Sequence, residues 1–174
     1  MADITVQMLA PNQIRSVYPL IRQVVPSVDL TGWIRFARPL VNPRRAELGG
    51  IVVAQRLSRR FPSGLFCYRQ ERDLTHGKVL VAEHFVALDL LQADAVLAAL
   101  LVELDALGKR FGCNAVRSVL HGSAPDIAGR LTEAGHQPEA SLLYKPMAHH
   151  RAGPRQRDAR PGRLADREKT RASP

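Results

Sequence analysis

Aromatic residues are scarce: Phe, Tyr and Trp together make 5% of 174 residues, and Trp33 is the single tryptophan. None of them lies among the arginines between Arg151 and Pro174. The chain therefore has no run of basic residues interleaved with stacking rings, the pattern that grips single-stranded nucleic acid. No helix-turn-helix, zinc or RNA-binding aromatic signature is present either, so a nucleic-acid reading would rest on net charge alone. Only two cysteines occur, Cys67 and Cys113. They cannot make a disulfide framework and match no zinc spacing, so buried inert thiols are expected and no metal site is. No uninterrupted apolar segment reaches the ~20 residues of a membrane span. The first residues, MADITVQMLAPNQ, lack the basic start and apolar core of a secretory signal, which makes a cytoplasmic location the expectation. No internal repeat is visible.

What the chain does have is positive charge, a formal +9 with a pI near 10.5. More than half of it sits at one end. From Arg151 to Pro174 there are eight Lys or Arg against three acids, with two prolines, two glycines and almost no large apolar residue before the final Pro174. Such a segment cannot bury enough surface to fold alone. The division expected is a folded domain over 1–148 and a basic, disordered tail over 149–174. That tail would be solvated, or would make a weak electrostatic contact with an anionic partner.

The stretch Lys78–Gly112 organises the rest. Val79–Leu88 is nearly continuous apolar sequence with Glu83 and His84 inside it, and reads as a strand covered on both faces. The period then changes: Val96, Leu97, Leu100, Leu101, Leu104 and Phe111 recur at helical spacing over Ala93–Gly112. A buried strand that enters a helix through a short loop leaves N–H groups at the helix start to meet an anion, unless Asp94 caps them. Before this stretch the pattern gives a strand over Ile4–Leu9 and a helix opened by Pro11-Asn12 and broken or kinked at Pro19. A second helix, capped by Asp29, carries Leu30, Trp33, Ile34, Ala37 and Leu40. Strands at Ile51–Leu57 and Leu65–Gln70 complete an antiparallel meander with the central strand. After it come a strand at Ala115–Leu120, a short helix stopped at Gly135, and a last strand at Ala140–Tyr144. The fold class expected is α/β (α+β): a mixed, mostly antiparallel central sheet flanked by helices, with Ala93–Gly112 crossing over between parallel neighbours.

This order resembles the GNAT superfamily of N-acetyltransferases over roughly Ile4 to Met147. The segment Leu107-Gly108-Lys109-Arg110-Phe111-Gly112-Cys113 looks like the end of the helix that precedes the family's fifth strand. Arg130-Leu131-Thr132-Glu133-Ala134-Gly135-His136 resembles its late YExxGF segment, followed by a strand ending in Tyr144-Lys145-Pro146-Met147. The family's acyl-CoA loop, Q/R-x-x-G-x-G/A, falls on Gln92, Ala93, Asp94, Ala95, Val96 and Leu97. Gln92 fits; Ala95 stands for the first glycine, Leu97 for the second small residue, and Asp94 adds a negative charge, so the motif is degenerate.

The resemblance implies an N-acyltransferase that uses acetyl-CoA or another acyl-CoA, with a small-molecule or protein amine as acceptor; a homodimer is compatible with it. It implies that Glu83 is the general base and that strand N–H groups over Phe85, Val86, Ala87 and Leu88 hold the thioester end and polarise its carbonyl. The alternative for Glu83 is a pairing with one of the arginines or a place at the sheet edge. His84 would point to the opposite face as a satisfied core histidine. His121 and Ser123 would lie near the cleft, as parts of a hydrogen-bonded turn. The position of the family's proton-donating tyrosine carries Leu131, leaving Tyr68 and Tyr144 as substitutes. The competing function is a catalytically inactive GNAT-like binding or regulatory module that does not use CoA, a reading that draws on Asp94, Leu97 and Leu131.

Overall fold

The structure, a computed structural model, describes residues 4–88, 93–121 and 124–145. The strands and helices follow in the order β1 (Ile4–Met8), α1 (Tyr18–Val24), α2 (Leu30–Leu40), β2 (Gly49–Arg56), β3 (Gly64–Asp73), β4 (Gly77–Ala87), α3 (Ala93–Arg110), β5 (Ala115–Val119) and α4 (Pro125–Glu133). Short 3₁₀ turns at Pro11–Gln13 and Pro43–Arg45 join the early elements. The sheet follows chain order, β1-β2-β3-β4-β5. The first three pairings are antiparallel and β4–β5 is parallel, with α3 as the crossover. Among the described residues no helix is long and apolar enough to cross a membrane.

Both faces of the sheet are covered, which is why β2 reads Gly-Gly-Ile-Val-Val-Ala without polar alternation and is buried throughout that run. On one face Val96, Leu97, Leu100, Leu104 and Leu107 of α3 pack with Leu131 of α4 on Val52, Phe66, Tyr68, Leu80 and Phe85. On the other, Leu20 and Ile21 of α1 and Trp33 and Ala37 of α2 pack on Ile51, Val53, Leu65, Cys67 and Val86. The buried Trp33 satisfies its own polar atom by donating from Nε1 to the Ile14 carbonyl at 2.7 Å. Gly64 decides how closely α3 sits. A Cβ there would come within 2.6 Å of Val96 Cγ1 and 2.8 Å of the Val86 carbonyl oxygen. The three-residue turn from β3 to β4 closes on Gly77 at φ +72°, with Asp73 accepting from the N–H groups of Thr75 and His76.

Several expectations shift. Of the kink or break expected at Pro19 the structure has the break: the chain before it makes only a 3₁₀ turn, and Pro19 occupies the first turn of α1, where its missing N–H costs nothing. Asp29 caps α2 as expected, accepting from Gly32 N at 2.6 Å. Gly135 ends α4 at φ +95°. Cys67 is buried, but Cys113 is only half-buried. The chain divides into two compact units, Met1–Pro138 and Glu139–Pro174. In the second, residues 139–145 form neither helix nor strand, and Leu142, Leu143 and Tyr144 are exposed. The expected strand at Ala140–Tyr144 is therefore absent: β-propensity without a paired neighbour does not make a strand. The basic tail lies outside the described residues.

Candidate functional site

The site begins with one extra residue in β4. β3 and β4 pair Leu65 with Val86 and next Cys67 with Glu83, so Phe66 alone faces both His84 and Phe85. This is a β-bulge, and it holds His84 at φ +58°, the one described residue other than glycine in the left-handed region. The bulge resets the alternation of side chains. Phe85 joins the core under α3, and Val86 joins the core under α1 and α2. His84 does not point away from Glu83 as strict alternation requires; its Nε2 lies 4.0 Å from Glu83 Oε1.

The same point ends the parallel pairing. β4 and β5 match from Val79 with Ala115 to Glu83 with Val119. β4 then runs on to Ala87 with β3 alongside but, among the described residues, without β5. The β4–β5 pairing thus ends at Glu83, opposite the last residue of the edge strand β5. The opening this leaves along β4, among the described residues, runs past Phe85, Val86 and Ala87, and His121 lies beyond the end of β5 with its ring against that of His84.

Polar groups gather at this opening on the α1–α2 face. Arg69 Nη1 donates to Glu83 Oε1 at 2.6 Å, and Arg69 Nε donates to Glu71 at the same distance. Arg117 pairs with Asp73 and reaches Glu71 at 3.9 Å. The arginine pairing weighed for Glu83 is therefore real, and it coexists with a position in the mouth of the opening. The imidazole of His84 stacks on His121, centroids 4.6 Å apart and planes within 14°, and meets the ring of Phe36 edge-on at 5.7 Å. Its buried Nδ1 has no hydrogen-bond partner among the described residues, so it is not the satisfied core histidine expected. Burial pushes its pKa below the ordinary histidine value, opposed by Glu83 and aided by His121 and Arg69. Cys67, across the ladder from Glu83, has its thiol pushed far up by burial and then by that carboxylate, which leaves it inert.

The residues carried over from the resemblance divide by position. Glu83 lies in the opening. Phe85 and Val86 are buried by their side chains, Ala87 is half-buried, and Leu88 is exposed with its N–H donated to the Ser63 carbonyl at 2.7 Å. Gln92 and Ser123 lie outside the described residues. Ala93 and Asp94 form the exposed start of α3, and Ala95 is half-buried. Val96 and Leu97 are core residues, so the leucine in place of a small residue turns inward to the sheet. Asp94 does not act as the cap. It sits inside the first turn and pairs with Arg130 of α4 at 2.7 Å. Of the substitute acids, Tyr68 donates to the Ala46 carbonyl at 2.7 Å and burial pushes its pKa up to about 12, while Leu131 is core. The sequence reading missed Arg69 and Phe36 as parts of the site and placed His84 on the wrong face. A single exposed aromatic, Phe36, on an otherwise amphipathic α2 was the available signal.

No protein-family profile matches the chain, and no curated protein matches its sequence. Solved structures match its fold. An aminoglycoside N-acetyltransferase, AAC(6′)-Iy, in complex with CoA aligns over 85% of this chain and 97% of its own, with TM-score 0.66 and 15% identity. A glucosamine-6-phosphate N-acetyltransferase from Arabidopsis thaliana aligns over 83% and 99%, with TM-score 0.65 and 15% identity. A transcriptional regulator from Bacillus halodurans C-125 aligns over 83% and 99%, with TM-score 0.68 and 12% identity. The architecture is the GNAT fold.

Proposed function

We propose that this chain is an N-acyltransferase that moves an acyl group from acyl-CoA to an amine in the opening along β4. The observation that carries the reading is the end of the β4–β5 pairing at Glu83, beside a polar cluster, while β4 runs on to Ala87 without β5. Fold likeness alone is a weaker warrant, because one fold hosts many functions.

The residues present fit a CoA thioester. Leu97 faces the core and leaves the start of α3 clear of a bulky side chain. Asp94 is countered by Arg130, so its charge toward a diphosphate is offset. The N–H groups of Ala93, Asp94 and Ala95 at the start of α3 would hold the diphosphate. Those of Phe85 to Ala87 would take the thioester end and polarise its carbonyl. The thioester supplies an activated acyl group. The protein's part is to position the acceptor and move its proton. Glu83 attracts the incoming ammonium and accepts its proton, directly or through water, which leaves a neutral amine to attack; the N–C bond forms as the C–S bond breaks, and the second proton lost by the amine balances the departing thiol. Arg69 occupies Oε1 of Glu83 and fixes the carboxylate, leaving the other oxygen to receive that proton. Phe36 and the paired imidazoles wall the acceptor side.

Calorimetric titration with acetyl-CoA tests the reading. Saturable binding weakened by Gln92→Ala is the expected result, with turnover on a panel of primary amines falling at least ~100-fold in Glu83→Gln. Absence of heat at millimolar acetyl-CoA would leave the fold as a module without CoA chemistry. Full turnover in Glu83→Gln would remove Glu83 as the base.

A further inference from the structure

We infer that Glu83, His84 and His121 form a binding site for a divalent transition-metal ion, zinc foremost, and that the bound ion takes the Glu83 carboxylate away from the proton transfer proposed for it. Glu83 and His84 lie on β4 and His121 just past the end of β5, and the parallel pairing of β4 with β5 brings them together. One ligand atom from each lies within 4.8 Å of the others. Two imidazoles and one carboxylate are a common zinc donor set, with a fourth position open to water or another ligand. Nitrogen-rich sets of this kind favour zinc, nickel and copper over magnesium and calcium.

The surroundings resemble those of a metal site in two respects. Glu83 is oriented by a charged hydrogen bond from Arg69, and carboxylate ligands are held by such outer partners. Glu71 in turn pairs with Arg69 and offsets the repulsion its charge would exert on a cation. His84 is fixed by its left-handed backbone and by the edge of Phe36. What must move is His121. Tetrahedral bonds of ~2.0–2.1 Å place ligand atoms roughly 3.3 Å apart, so the set has to close by about 1.5 Å. The two rings are also nearly parallel, which aims their lone pairs side by side rather than at one point. His121 is exposed just past β5, and rotation of its side chain out of the stack brings both changes at once.

The test uses the full chain, titrated calorimetrically with zinc chloride and, separately, with cobalt(II), whose visible spectrum reports tetrahedral nitrogen–oxygen ligation. The variants are His84→Asn, which keeps a side chain tolerated at positive φ, His121→Ala and Glu83→Gln, with circular dichroism to confirm folding. The expected result is one zinc per chain, weakened at least ~10-fold in each variant, since loss of even an outer partner costs that much. His136→Ala should leave it unchanged, and magnesium should give no heat. The inference is overturned if zinc does not bind, or if binding survives His84→Asn and His121→Ala. It is equally overturned if the signal disappears only when His149 and His150 are both replaced by alanine. None of these readouts depends on acyl transfer.

Discussion

Replacing His84 in turn by glycine, alanine and valine should invert the order of stability that an ordinary strand position gives. In a regular strand glycine is worse than alanine by ~0.5–1 kcal/mol, because it loses more backbone freedom on folding. At φ +58° a Cβ crowds the following carbonyl, which costs roughly 1–2 kcal/mol for any residue but glycine. Setting one against the other leaves glycine ahead of alanine by about 0.5–1 kcal/mol. Valine, branched at Cβ, falls below both. All three substitutions lose the stack on His121 and the contact with Phe36 equally, so differences among them isolate the backbone. Urea unfolding followed by far-ultraviolet circular dichroism reads the result. With a slope of ~2 kcal/mol per molar, the midpoint of the glycine variant should lie about 0.3–0.5 M above that of alanine. An alanine variant as stable as the glycine one, or more so, would mean that His84 is not held in the left-handed region. The bulge beside Glu83 would then have no support.

Other consequences can be checked in the same way. Gly64→Ala should lower stability by ~1–3 kcal/mol, because the added methyl meets Val96 and the Val86 carbonyl oxygen and forces α3 off the sheet; an unchanged urea midpoint would contradict that contact. Trp33→Phe strips the Ile14 carbonyl of its partner and should cost about 1–3 kcal/mol, measured as a drop in unfolding free energy. The Asp73 carboxyl is held below its usual range by Arg117 first, then by the N–H groups of His76 and Thr75. Its contribution is therefore present above pH ~4 and is lost as pH falls toward the folded value, so Asp73→Asn should flatten the acid limb of a melting-temperature profile. A profile for Asp73→Asn parallel to that of the parent would refute this. Zinc affinity in His84→Asn and turnover in Glu83→Gln complete the set, and they report on binding and on catalysis separately.

Much of the fold could be read along the chain because its signals are local. The apolar run Val79–Leu88, the helical period from Val96 to Leu107, the cap at Asp29 and the stop at Gly135 each act within one element, and each appears where the pattern puts it. Local pattern also gave Glu83 as a polar residue in a buried strand. It could not give the bulge, since alternation is the only guide to facing and an inserted residue breaks it without changing composition. His84 was accordingly assigned to the wrong side. The strand expected at Ala140–Tyr144 failed for the converse reason, as strand propensity is realised only against a neighbour. Local pattern fixes the strand and helix periods and the chemical kinds of residue at hand. It cannot reveal that Arg69 grips Glu83, that Arg130 answers Asp94, or that His121, thirty-seven positions beyond His84, lies against it. The first contact follows from the register of β3 on β4, the second from α4 beside α3, and the third from the parallel pairing of β4 with β5, and none of these is a property of one element alone.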